Sequence, residues 1–244
     1  MNSLMRSAES FISCGATAVD TTAATSTTTS QQYAAHGVLQ LVEADYPQRQ
    51  KLQQFIADGF ARHYQAKLQH FMPHLLGVCL AGSWQAALGI RFAASEPLFT
   101  EQYLNTDAQY VLQQQGACFQ RSDIAEIGHL YAENRQALMQ LFVLMVQALH
   151  QLNIKQLLFA ATADLKRMLS RHGIVLREIV DADPACLGDK AKDWGSYYDK
   201  KPQVCALLVS QAAQRIQSDP RLQQLVFRHW PQLHALVATL QETV

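Results

Sequence analysis

An apolar run from Ile124 to Tyr131 carries a carboxylate and an imidazole three residues apart, Glu126 and His129, and passes straight into a second apolar run opened by Glu133-Asn134-Arg135. Those two side chains suit acid–base work. Burial on a strand would raise the pKa of Glu126 toward neutrality, where a carboxylate can accept a proton from an amine. His129, with an unperturbed pKa of about 6.5, could share or replace that role. Each has a plainer reading: Glu126 as a structural carboxylate paired with Arg91 on a neighbouring hairpin, and His129 as a satisfied histidine at a strand end. A second group lies in the loop DWGSYYDKKP, where Trp194, Tyr197 and Tyr198 sit among Lys190, Lys192, Lys200 and Lys201. The rings could line a pocket, and the Tyr197 hydroxyl could protonate a leaving group; otherwise they simply pack.

These residues need elements to position them. Order should begin at Gly37 with a strand, followed by an amphipathic helix over 49–69, since Leu52, Phe55, Ile56, Phe60 and Tyr64 recur at helical spacing. Two β runs joined at Ala81-Gly82-Ser83 form a hairpin. A short helix over 108–115 leads to the strand 124–131 and a helix with Leu138, Leu141, Phe142, Met145, Leu149 and Leu152 on one face. The segments 155–163 and 174–180 read as strands flanking a helix closed by Gly173, and a polar loop over 181–201 precedes the last strand, 203–210. From Asp219, Leu222, Leu225, Val226, Trp230, Leu233 and Val237 trace a helical tail whose apolar stripe needs a partner surface, in this chain or in a second copy. The alternation implies an α/β (α+β) domain: a mixed, partly antiparallel sheet with helices on both faces. The expected division is a leader at 1–34, where TTAATSTTTSQQ cannot bury enough surface to order itself, a catalytic domain over 35–210 and the tail over 211–244.

Composition excludes several classes. A chain of 244 residues that is 49% hydrophobic and 16% charged can bury a sizeable core. Twenty basic and twenty acidic residues balance, so no global field draws it to nucleic acid or anionic lipid. Cys14, Cys79, Cys118, Cys186 and Cys205 show no metal spacing and read as reduced thiols, so neither a metal nor a disulfide framework is expected. No segment has the length of a signal core or a membrane span, which points to the cytoplasm. P-loop, G-x-G-x-x-G, H-E-x-x-H and G-x-S-x-G patterns are all lacking.

Six blocks carry a resemblance: FARHYQAKLQHFMPHLLGV, AALGIRFAASEPLFTEQYL, IAEIGHL, FAATADLKRMLSRHGI, DADPACLGD and DWGSYYDKKPQV. In this order, from about Phe60 to Val204, they resemble the thermostable hemolysin family. That family is similar in layout to acyl-CoA N-acyltransferases (the GNAT fold) and acyl-homoserine lactone synthases. The resemblance implies an acyltransferase that moves a fatty acyl group from acyl-CoA or a phosphopantetheinyl acyl carrier protein to a small amine or amino acid, with no tightly bound cofactor. It also implies a V-shaped splay between the strand of Glu126 and that of Phe159. Gly128 and Leu130 on one strand, Thr162 ending the other, and Asn134 and Arg135 at the next helix would then hold the donor. Arg91, Glu101 and Trp194 would bind the acceptor, Glu101 its ammonium and Arg91 a carboxylate, while Glu126, His129 and Tyr197 would do the chemistry. Thr162 and Glu101 are equally well explained as helix caps. The lysines around Trp194 would dock an acidic carrier protein or simply be solvated. The family block E-I-G-N-L-A reads Glu126-Ile127-Gly128-His129-Leu130-Tyr131 here, and the acetyltransferase pyrophosphate loop Q/R-x-x-G-x-G/A has no counterpart in YAENRQA. Two other readings stand beside the enzyme: a membrane-active hemolysin using its tail on lipid, and a non-catalytic binding module on the same fold.

Overall fold

The computed structural model describes residues 37–113 and 118–243. The expected leader and Cys14 lie outside the described residues. Seven strands form one sheet in the order β1-β2-β3-β4-β5-β7-β6: β1 Val38–Val42, β2 His74–Leu80, β3 Ser83–Phe92, β4 Ile124–Ala132, β5 Gln156–Ala161, β6 Arg177–Asp181 and β7 Gln203–Leu208. The helices are α1 Arg49–Tyr64, α2 Ala108–Gln113, α3 Arg135–Gln151, α4 Ala163–Arg171, α5 Val209–Ser218, α6 Pro220–Arg228 and α7 Trp230–Gln241. Only β4 and β5 pair in parallel, as a strand–helix–strand crossover through α3 requires; every other pair is antiparallel. The β2–β3 turn needs two residues, Ala81 and Gly82, both at positive φ, which matches the twist of a tight hairpin.

One face of the sheet is covered by α3, buried along nearly its whole length, with α5, α6 and α7 packed over it. Leu222, Val226, Leu233, Leu236 and Leu240 sink into that same core, so the tail's apolar stripe finds its partner surface within the chain. The other face carries α1 and an aromatic layer. Among the described residues, no helix is long and apolar enough to cross a membrane.

Three elements differ from the sequence reading, and each shapes the site. First, α1 stops at Tyr64 instead of running to residue 69. Gln65 turns left-handed (φ 54°), its N–H bonds Ala61 O and that of Ala66 bonds Phe60 O, which closes the helix. Residues 65–73 then cross the open end of the sheet as a strap. Second, the polar loop 181–201 is mostly 3-10 helix, Pro184–Trp194 and Tyr197–Lys200, clipped to that strap by Lys67 N–H to Asp193 O (2.6 Å) and Ser196 N–H to Tyr64 O (2.7 Å). Gly195 makes the approach possible, because a Cβ there would stand 2.0 Å from Tyr64 O. Third, Phe99–Tyr103 forms a 3-10 turn between hairpin and α2.

Candidate active site

The β4–β5 ladder is short. Ile124, Ala125 and Glu126 pair with Gln156, Leu157 and Leu158, and pairing then ends although β4 continues to Ala132 and β5 to Ala161. The strands splay from Glu126 onward. On its other side β4 stays paired with β3, but with a bulge: Ala87 faces Tyr131 and Gly89 faces Gly128, so His129 and Leu130 together oppose Leu88. His129 takes φ 54°, a left-handed conformation in which His and Asn are the side chains most readily accepted.

The splay opens into a cavity of about 780 Å³. Its floor is β4 from Glu126 to Ala132 with Phe159 and Ala160 of β5, and its roof is the strap, the end of α1 and the aromatic loop. Its lining includes Glu126, Arg91, Thr100 and Tyr103, and the basic side chains Lys67, Arg135, Arg167 and Arg171. Trp194 contacts Phe60, Phe99 and Tyr197 and stacks at 10° with the His129 ring, which also meets Phe71.

Glu126 is 1% exposed, and its carboxylate accepts the N–H groups of Phe99 (2.8 Å) and Thr100 (2.6 Å). It therefore caps the 3-10 turn from across the sheet. Burial raises its pKa, and the contacts with Thr100 and Phe99 and the charge of Arg91 draw it back only in part. Arg91 is its cross-strand neighbour, yet the Glu126–Arg91 bond of the plainer reading is replaced: Arg91 donates to Pro97 O (3.2 Å) and faces Glu96 at 3.4 Å. Burial, helped by Arg91 and opposed by the His70 carbonyl, lowers the His129 pKa to about 4, so its ring is neutral near pH 7.

Other expected residues fall as follows. Gly128, Leu130, Arg135, Thr162, Trp194 and Tyr197 all line the cavity. Gly128 has a packing reason as well, since a Cβ there would meet Met72 at 2.7 Å. Thr162 caps α4 through Leu165 N–H. Tyr197 donates to Ala160 O (3.4 Å) on the splayed strand, and burial keeps its hydroxyl protonated by raising its pKa. Two assignments need correction. Glu101 is not among the cavity residues; it accepts from Leu98 N–H, Ala108 N–H and Arg121 (2.6 Å), which leaves it no access to an acceptor. Asn134 points away to cap α3 through Ala137 N–H, and only Arg135 of that pair lines the cavity. Sequence reading missed Thr100, Tyr103, the strap residues and the α4 arginines. Only the helical spacing of Arg167 and Arg171 could have hinted at them.

A profile of the thermostable hemolysin family matches residues 42–213, well over half of the chain. The chain belongs to that family. No curated protein matches its sequence. Among solved structures, this thermostable hemolysin family member is similar to BjaI, a CoA-dependent acyl-homoserine lactone synthase with SAM and isopentyl-CoA: 9% identity, TM-score 0.53, covering 76% of this chain and 89% of that one. FeeM, an N-acyl amino acid synthase from uncultured soil microbes, shows 13% identity and TM-score 0.50, covering 73% and 98%. TofI, in a ternary complex with an inhibitor and MTA, shows 13% and 0.50, covering 76% and 99%. At these identities the likeness establishes the shared fold, a mixed open sheet with the GNAT-like splay.

Proposed function

We propose that this protein transfers a fatty acyl group from a thioester, on coenzyme A or a carrier protein, to the amine of a small molecule or amino acid. The observation that carries this reading is the loss of β4–β5 pairing directly after Glu126, which places a buried, raised-pKa carboxylate at the apex of an open cavity. Beyond Glu126, the β4 backbone on the β5 side is free to bond the amides of a pantetheine arm. The lining arginines Arg135, Arg167 and Arg171 suit the phosphate that ends it. The acyl-transferring activities named for BjaI and FeeM favour the same reading.

In this mechanism the acceptor nitrogen loses its proton to Glu126 and attacks the thioester carbonyl carbon. Backbone N–H groups of the β4 bulge stabilise the oxyanion. Collapse of the tetrahedral intermediate breaks the C–S bond, and the second proton that the nitrogen loses on becoming an amide passes to the departing thiolate, while Tyr197 stays protonated. Neutral His129, stacked on Trp194, orients the substrate and does not act as the base, because its pKa lies far below neutrality. Incubating the purified chain with octanoyl-CoA or octanoyl carrier protein and a pool of amines and amino acids should yield an N-octanoyl amide and one free thiol per amide, read by mass spectrometry. No amide with either donor would overturn the proposal.

A further inference from the structure

Two glycines meet across adjacent strands beneath the strap. Gly89 of β3 and Gly128 of β4 are partners in register, and the Met72 side chain lies over both: a Cβ added at Gly89 would stand 2.6 Å from Met72 Cβ, and one added at Gly128 would stand 2.7 Å from Met72 Cε. The pair therefore forms a slot that this one side chain fills. It runs from β3 toward β4, which points its methyl at the splay between β4 and β5. Met72 is buried, yet lines the cavity. Its backbone is fixed by Arg49, which donates to the carbonyls of Met72 (2.8 Å) and Pro73 (2.8 Å). Only the unbranched thioether end is left to adapt, a role that suits methionine.

The place of that methyl decides what it can do. Gly128 follows Glu126 by two residues on β4, so the two lie on the same face of the sheet, about 6.6 Å apart along the strand. Around Glu126 itself the lining is polar, with Arg91 opposite in register and the Thr100 N–H on its carboxylate. At Gly128 it is apolar, under Met72, and the strap adds Phe71 and Leu68 to the lining. A thioester carbonyl brought to Glu126 needs an apolar path for the hydrocarbon behind it. The space under the strap offers one that ends on the Met72 methyl.

We infer that Met72 sets the length of the acyl chain that the protein accepts, its Cε closing the slot as a stop. The inference rests on the acyl-transfer reading for the identity of the chain. Two substitutions move the stop in opposite directions. Met72→Ala removes Cγ, Sδ and Cε and so extends the slot over Gly89 and Gly128 by roughly three methylenes. Gly128→Ala, compatible with a backbone that is not at positive φ, presses its methyl on Cε and drives the thioether end into the cavity.

The test compares octanoyl with dodecanoyl thioesters, on coenzyme A or carrier protein, with one amine acceptor. One methylene in an apolar pocket is worth about 10–200-fold in discrimination, so the dodecanoyl to octanoyl ratio of kcat/KM should rise about tenfold or more in Met72→Ala and fall about threefold or more in Gly128→Ala. The double variant should behave as Met72→Ala, because no Cε remains for the new methyl to push. Each ratio is taken on a single preparation, so it does not depend on the folded fraction; should Met72→Ala not fold, Met72→Leu, close in volume and one atom shorter, should give a smaller rise. Octanoyl and dodecanoyl pantetheine titrated by calorimetry without acceptor separate this inference from the transfer reading. A Kd ratio that shifts in the same directions while no amide forms upholds the stop and sinks acyl transfer. Amide formation with ratios unchanged in Met72→Ala and Gly128→Ala leaves transfer standing and overturns the stop, as does the absence of both turnover and binding.

Discussion

Two carboxylates brace the same 3-10 turn from opposite sides. Glu101 caps its start through Leu98 N–H and holds Ala108 N–H and Arg121; Glu126 reaches across from β4 to Phe99 and Thr100 N–H. Their electrostatics diverge. Burial alone would raise the pKa of Glu101, but the bonds from Arg121 and the two N–H groups hold it below the usual range. Glu126 has no hydrogen-bonded cation, so burial wins and its pKa rises. One capping task therefore yields a carboxylate held below the ordinary range in the first case and one pushed above it in the second. What separates them is the partner that each lacks or has, together with access to the cavity.

The largest effect should come from Glu126→Gln. If Glu126 is the base, turnover falls roughly 10²–10⁴-fold. A base must be ionised, so the wild-type rate should rise with pH through a pKa above the ordinary carboxylate value, and the variant should lack that limb. The amide keeps one acceptor and loses the other backbone bond, for about 1 kcal/mol of stability. Near-normal turnover in a folded Glu126→Gln protein would reduce Glu126 to a second Glu101.

Glu101→Gln should reverse the pattern, costing about 2–4 kcal/mol because Arg121 loses its ion pair, while kcat/KM per folded molecule stays within about threefold. The sign with pH is fixed by the lowered pKa. Stability from Glu101 is present above its unfolded value near 4.5 and is lost as pH falls through the folded value, so chemical denaturation of the two proteins should converge in acid. Persistence of the full difference at low pH would break the comparison from the other side.

A smaller effect is expected at the bulge. His129 is depressed from about 6.5 to about 4, so its contribution is complete above the unfolded value and erodes as pH falls from 6.5 toward 4. His129→Asn keeps a side chain tolerant of positive φ and removes the titration; wild type should lose on the order of 1–3 kcal/mol relative to it across that window. Parallel stability curves would show that the ring is not buried in solution.

The strands and the candidate base were legible because both are local signals: an apolar period, and a charge inside it. Glu126 stood out from Ile124, Ala125 and Ile127 by type alone. Its bonding partners did not, since Phe99 and Thr100 lie 27 and 26 residues away and nothing in LFTEQY marks their N–H groups as recipients. The pairing with Arg91 was read from correct strand adjacency, but adjacency in register did not fix which carbonyl the guanidinium would choose. Thr162 was open between cap and ligand, and the structure places it as both a cap and a cavity wall. The early end of α1 depends on a left-handed Gln65 supported by a loop about 130 residues on, which periodicity within the helix cannot reveal.

The outer edge of β1 shows what the tail contributes beyond apolar burial. Leu39 N–H, which would otherwise look for another strand, donates to Oε1 of Gln232 (3.0 Å), and that oxygen also bonds His229, itself tied to Gln140 of α3. A glutamine thus stands on this edge where a neighbouring strand's backbone would otherwise dock. At this edge the tail acts as a stopper against the addition of a strand from another copy.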